Sequence, residues 1–332
     1  MDAAKSIARI ERALDALGPH ASSCRLCPRD CGVDRRAGEL GYCRSPDRAG
    51  VARALLHFGE EPVLSGVPPR GRGSGTVFFT GCSLKCLFCQ NHQISWSGRG
   101  RFLEDEELAA AMLDLQDRGA HNLNLVSPSH LLLPILRALK TAKKRGLRVP
   151  IVYNSHAYEK AEVVERLAGI VDIYLPDLKY KEASLAGRCS GAEDYFARAG
   201  PAIEEMFIQQ PDLVLDVDGL ARRGTIVRHL VLPGQASDSL ALLDWLARTF
   251  PPSLPLSLMS QYRPCFRPPP DLDRPLSPEE YAAVLSRAQS LGFEHLFAQP
   301  ELFGPGDHLN PDFDLEDPFP WKGRKDPPGG QR

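Results

Sequence analysis

From Thr76 onward the chain alternates six times between a short apolar run and an amphipathic stretch, and few architectures accept that order. The runs are 76-TVFFT-80, 122-NLNLV-126, 149-VPIVYN-154, 171-VDIYLPD-177, 225-TIVRHLVL-232 and 254-LPLSLM-259. Each is short and mostly β-branched or Leu, as strands buried on both faces should be. Helical patterns lie between and after them at 104–118, 130–145, 158–168, 192–210, 237–249 and 277–291, with a break expected near Gly200-Pro201. Acidic starts such as Glu104-Asp105-Glu106-Glu107, and glycines just past the ends, fit the helix dipole and the left-handed C-cap. Ser277-Pro278 supplies an N-cap followed by Pro in the first turn. This order predicts a parallel sheet with crossover helices, either doubly wound or curved into a barrel. Both architectures place the active site at the C-terminal ends of the strands. The polar clusters fall there: Gly81-Cys82, Ser127-Pro128-Ser129-His130, Asn154-Ser155-His156, Asp177-Leu178-Lys179 and Ser260-Gln261-Tyr262. Only the fifth run differs, with Arg228 and His229 inside it.

Upstream of Thr76 the character changes. Ile7, Ile10, Leu14 and Leu17 give one apolar helix face, stopped by Gly18-Pro19. Residues 20–75 are rich in Gly, Pro, Arg and Cys with little periodicity. The expected organisation is a helix over 1–19, a Cys-rich metal-binding appendage over 20–75, a barrel over 76–300, and a Pro- and Gly-rich tail over 301–332. The first residues lack the apolar core of a secretion signal, so a reducing, cytoplasmic setting is expected, where clustered cysteines mean metal more often than disulfide. A formal net charge of −2 gives no global case for nucleic acid, and no apolar run reaches the roughly 18–20 residues that span a bilayer.

The nine cysteines fall into two groups and two singletons, Cys189 and Cys265, which receive no role. The segment 80-TGCSLKCLFCQN-91 spaces Cys82, Cys86 and Cys89 as C-x3-C-x2-C directly after a strand. Three thiolates on one loop can hold a cubane cluster while leaving one iron open to a ligand. A zinc site that borrows a fourth ligand such as His92 is the competing reading. The other group, Cys24, Cys27, Cys31 and Cys43, has four ligands and is closed. Structural zinc, a second iron–sulfur cluster and a regulatory thiol set all fit its spacing.

The three-cysteine loop, with Phe88 before its last Cys, resembles the radical S-adenosylmethionine (radical SAM) superfamily. Gln90-Asn91, 171-VDIYLPDLKY-180 and 226-IVRHLVLPG-234 resemble the subgroup of pyruvate formate-lyase activating enzymes. Segments 24-CRLCPRDC-31 and 57-HFGEEPVLSG-66 resemble only the homologues with an N-terminal Cys-rich region. The resemblance implies an α/β fold, a partial (β/α)6 barrel of radical SAM type. It implies a [4Fe–4S] cluster on Cys82, Cys86 and Cys89 that cleaves S-adenosylmethionine reductively, with hydrogen abstraction from a glycyl radical enzyme as protein substrate. A flavodoxin or ferredoxin would be the electron donor. Carried over residue by residue, Phe88, Ser127, Asn154, Asp177, Lys179 and Arg228 become cofactor-binding candidates, with Arg228 expected to need a buried anion such as the methionyl carboxylate. Two positions depart from the pattern: 126-VSPSH-130 replaces a Gly-Gly-Glu-Pro element, so no carboxylate is available there for the methionyl amino group, and Gln261-Tyr262 stands where a His is expected. Chemistry on another macromolecule or a small molecule is the alternative within enzymes. A non-catalytic, zinc-stapled scaffold is the alternative outside them.

Overall fold

Strand side chains alternate between two faces, and here that alternation separates a barrel lumen from a helix-covered core. In β4 (Leu123–Val126), β5 (Ile151–Ser155) and β6 (Ile173–Pro176), the residues Leu123, Leu125, Ile151, Tyr153 and Tyr174 pack outward. They meet α1 (Ala3–Leu17), α4 (Asp105–Asp117) and α5 (Leu132–Lys144) in one buried cluster. The alternate residues Val152, Ile173 and Leu175 face inward instead, where Val63 and Leu64 of α2 (Pro62–Ser65) plug the floor.

The computed structural model describes residues 3–66, 72–299 and 311–319. Its main sheet runs in the order β3 (Arg101–Leu103), β1 (Ala49–His57), β2 (Ser74–Phe79), β4, β5, β6, β8 (Ala221–Thr225), β7 (Val214–Leu215). A second sheet has β10 (Leu256–Met259) between β9 (Val227–Leu230) and β11 (Leu296–Ala298), all parallel. The two sheets join where Asp177 bridges Arg228 and Leu178 N donates to Arg228 O at 2.8 Å. One largely parallel ribbon therefore curves from β2 to β11, as expected of a partial barrel. Connections and outer cover come from α3 (His92–Ser95), α6 (Ala161–Glu165), α7 (Ala183–Ser190), α8 (Tyr195–Gln209), α9 (Ala236–Thr249) and α10 (Pro278–Ser290). Ser277 caps α10 with a full capping box. Among the described residues, no helix is long and apolar enough to cross a membrane.

The structure departs from the sequence expectations in three places and also describes part of the tail. The sheet begins at Ala49, inside the expected appendage, because β1 pairs antiparallel along β2 from Val51↔Phe79 to His57↔Ser74. Helix α8 runs unbroken through Pro201, since Ala199, Ala202, Ile203 and Met206 are buried along it and outweigh the roughly 3 kcal/mol that an internal Pro costs. The run 225–232 divides between the two sheets at Ile226. Within the expected tail, residues 311–319 are strapped down: Phe313 and Phe319 lie 5.4 and 5.3 Å from Phe78. Residues 301–310 and 320–332 lie outside the described residues.

One outward group makes folding pH-sensitive. Glu159, 2% exposed, accepts hydrogen bonds from Tyr153 Oη at 2.8 Å and from the Ser155 hydroxyl. Burial outweighs these bonds and raises its carboxyl from 4.5 to about 7. A raised pKa means that the folded chain holds the proton longer, so this stabilisation is full below about 4.5 and lost as pH rises through about 7. Glu159→Gln should remove that loss, on the order of 3 kcal/mol. Urea midpoints at pH 5 and pH 8 measure it, and identical pH slopes in both proteins would contradict the assignment.

Candidate active site

After β2 the chain turns at Gly81, φ +78°. A Cβ there would lie 2.6 Å from the Cys43 carbonyl oxygen and 2.8 Å from Ser45 Oγ. Only glycine satisfies both the left-handed backbone and that close approach. The loop that follows, carrying Cys82, Cys86 and Cys89, is braced from distant parts of the chain. Arg29 Nε donates to Ser83 O at 2.8 Å, Leu87 N to Cys189 O at 2.8 Å, and Trp96 Nε1 to Cys86 O at 3.1 Å. Arg267 N donates to Leu87 O at 3.0 Å. Buried His156 meets Ser83 Oγ at 3.0 Å. The two singleton cysteines belong to this support, since Cys265 Sγ also lies 3.4 Å from Phe88 O.

The three thiols fit a cluster-binding set. Cys82 and Cys86 are buried and Cys89 is half-buried, and all three line one cavity of about 750 Å³. Backbone N–H groups of Leu84 and Lys85 point at Cys82 Sγ, at 3.3 and 3.5 Å, and the Ser95 hydroxyl donates to Cys89 Sγ at 3.3 Å. Such donors stabilise sulfur carrying negative charge. Burial pushes the Cys82 thiol up to about 11 and Cys89 to about 12, so a metal is needed to take their protons. Among the described residues, no three Cys, His, Asp or Glu side chains converge as ligands of one ion. A cubane asks for something else, because each thiolate binds a different iron.

The remaining cofactor-binding candidates converge on the same cavity. Phe88, Ser127, Asn154, Asp177, Lys179 and Arg228 all line it. Phe88 is itself buried, edge-on to Tyr180 and Tyr262 at 6.3 and 5.6 Å. Ser127 holds φ +55°, fixed by its N–H to Asn154 O at 2.8 Å. Lys179 Nζ sits 2.8 Å from Asp177 Oδ2. Burial would raise the Asp177 carboxyl, but Arg228 and Lys179 together hold it at about 2.

Arg228 has the paired anion that a charged residue inside an apolar strand requires. Its anion is supplied by the protein: Nε reaches Asp177 Oδ1 at 2.8 Å and Nη1 reaches Glu60 Oε2 at 3.2 Å. Nη2 reaches Asn154 Oδ1 at 2.6 Å, which also occupies the Asn154 acceptor. Carboxylates are likewise present where none was expected. Glu60 and Glu61 enter the lumen from the segment after β1, not from the strand that precedes 126-VSPSH-130. Against burial, His57 and Arg228 hold Glu60 low, with His57 Nδ1 at 3.2 Å. Glu61 is only 9% exposed and its Oε2 has no partner; burial raises its carboxyl. An acid pair between His57-Phe58-Gly59 and Pro62 reads as solvated loop, and only the family resemblance of 57–66 marked the segment. Tyr262 is committed to the fold through Oη to Leu272 O at 2.8 Å, while Gln261 and Gln299 pair at 3.0 Å. Cys24, Cys27, Cys31 and Cys43 do not line this cavity.

Comparison with known proteins finds similarity over part or most of the chain. Residues 76–180 match the model of the radical SAM superfamily. Over 287 residues the chain is 30% identical to the uncharacterized protein MJ0674 of Methanocaldococcus jannaschii, covering 83% of this chain and 77% of that one. A solved structure described as native anSMEcpe with bound AdoMet matches at TM-score 0.44 and 13% identity, over 65% of this chain and 59% of that chain. Residues 76–180 thus belong to the radical SAM superfamily, and over most of its length the chain belongs with the archaeal protein. Membership implies a [4Fe–4S] cluster and S-adenosylmethionine.

Proposed function

We propose that this chain cleaves S-adenosylmethionine reductively at a cluster held by Cys82, Cys86 and Cys89, and abstracts hydrogen from a protein substrate as glycyl-radical-enzyme activases do. The observation that carries the reading is the three-thiol loop opening directly into a cavity of about 750 Å³. When bound, the cluster supplies one electron that splits the cofactor into methionine and a 5′-deoxyadenosyl radical. Lys179 keeps donors beyond its Asp177 contact and is placed to receive a carboxylate. Asp177, held ionised by Arg228 and Lys179, fixes that lysine. Ser127 presents a hydroxyl beside the loop, and Phe88 and Tyr262 form an apolar wall that excludes water. The likeness of 171-VDIYLPDLKY-180 and 226-IVRHLVLPG-234 to activase elements supports the choice of a glycine-bearing protein, with a flavodoxin or ferredoxin as reductant.

The test is anaerobic. Reconstituted enzyme, a low-potential reductant and S-adenosylmethionine should yield 5′-deoxyadenosine and methionine in equal amounts. Adding a glycyl radical enzyme should produce the glycyl doublet in electron paramagnetic resonance. Cofactor cleavage without the doublet would move the substrate to another class. A small molecule is favoured by one observation, the unpartnered Glu61 Oε2, which offers an acceptor to an amine or hydroxyl.

A further inference from the structure

We infer that Cys24, Cys27, Cys31 and Cys43 bind a second iron–sulfur cluster, packed against the loop of the first. The inference does not depend on the substrate proposed above. The fold gathers these four residues. Cys24 N donates to Val33 O and Gly32 N to Cys24 O, both at 2.9 Å, which sets Cys24 beside Cys31. Asp30 N donates to Cys27 O at 3.1 Å, closing a tight turn between Cys27 and Cys31. Tyr42 N lies 3.3 Å from Cys31 Sγ, so the residue before Cys43 touches Cys31. A Cβ on Gly41 would come within 2.8 Å of that same sulfur. All four thiols are free, and three are buried at 2–5% exposure.

A charge argument points the same way. Arg35 is 5% exposed and no carboxylate among the described residues pairs with it. Its Nη2 lies 3.2 Å from Cys43 Sγ, its Nη1 donates to His130 O, and its Nε has no partner. A buried guanidinium without an anion is costly. A metal centre on four thiolates is an anion at that position. Zinc needs all four sulfurs about 2.3 Å from one point, and no three Cys, His, Asp or Glu among the described residues converge that way. Cys82, Cys86 and Cys89, the candidate ligands of the first cluster, do not converge so either. A polynuclear cluster, with thiolates on separate irons, does not require that convergence.

The site lies against the first one. Arg29, between Cys27 and Cys31, donates to Ser83 O and Leu84 O, and Cys43 O faces Gly81. The full chain carrying Cys82→Ala, Cys86→Ala and Cys89→Ala together isolates it. Purified anaerobically, that variant should retain iron and acid-labile sulfide in equal amounts, about two to four of each per chain. Adding Cys31→Ser, at the most exposed ligand, should remove both. If this fourfold variant does not fold, the triple variant's iron, sulfide and zinc content alone decides. Zinc without sulfide, or a folded triple variant with no metal, would overturn the inference.

Discussion

Arg228→Met should lower the melting temperature of the purified chain markedly, by the equivalent of about 3–5 kcal/mol. The substitution strands Asp177 and Glu60, both half-buried and both bonded to the guanidinium, and frees the Asn154 oxygen that Nη2 holds. Removing one partner of a buried pair leaves the other's desolvation uncompensated. Arg228→Met combined with Asp177→Asn should recover part of the loss, because one stranded charge is gone. Thermal scans of both variants read this directly. A melting temperature unchanged in the single variant would mean that the arginine serves a bound ligand and not the fold.

Cys86→Ala should abolish 5′-deoxyadenosine formation, down to the level of reagents alone. Two thiolates cannot retain the cubane, so iron bound at this loop should fall with activity. The fold should survive, because the Cys86 carbonyl and its Trp96 contact belong to the backbone, and loop bracing from Arg29, Leu87 and Arg267 is untouched. Circular dichroism checks the fold and product chromatography checks turnover. Full product yield from a variant lacking this thiol would remove the loop from the chemistry.

Much of this arrangement was legible in the residues because short-range rules govern it. Parallel strands buried on both faces read as apolar runs, and the polar residues that end them line the lumen, as Cys82, Ser127, Asn154, Asp177 and Lys179 do. What stayed hidden depends on partners distant in sequence. Strand β1 carries Arg53 and ends in His57, with little apolar contrast, and becomes a strand only because β2 offers it an antiparallel edge. Glu60 and Glu61 became lumen residues only because Val63 and Leu64 insert into the barrel floor behind them. The role of Arg228 was half visible. A charged residue within an apolar strand required an anion, but choosing between a bound carboxylate and Glu60 required the three-dimensional neighbourhood. Pro201 shows the reverse error, where a local rule gave way to packing along α8.

The bracing of the cysteine loop also has a consequence in time. Cys82, Cys86 and Cys89 are synthesised early, yet the Cys189 carbonyl and the Arg267 amide that shape their loop come much later in the chain. Between Cys89 and Arg267 the ribosome must add about 180 residues, on the order of 10–35 s at ~5–20 residues per second. Throughout that interval three thiols exist without the pocket that will bury them, exposed to oxidation and to stray metal. The mature loop geometry therefore waits for Arg267, long after the three thiols themselves have been made.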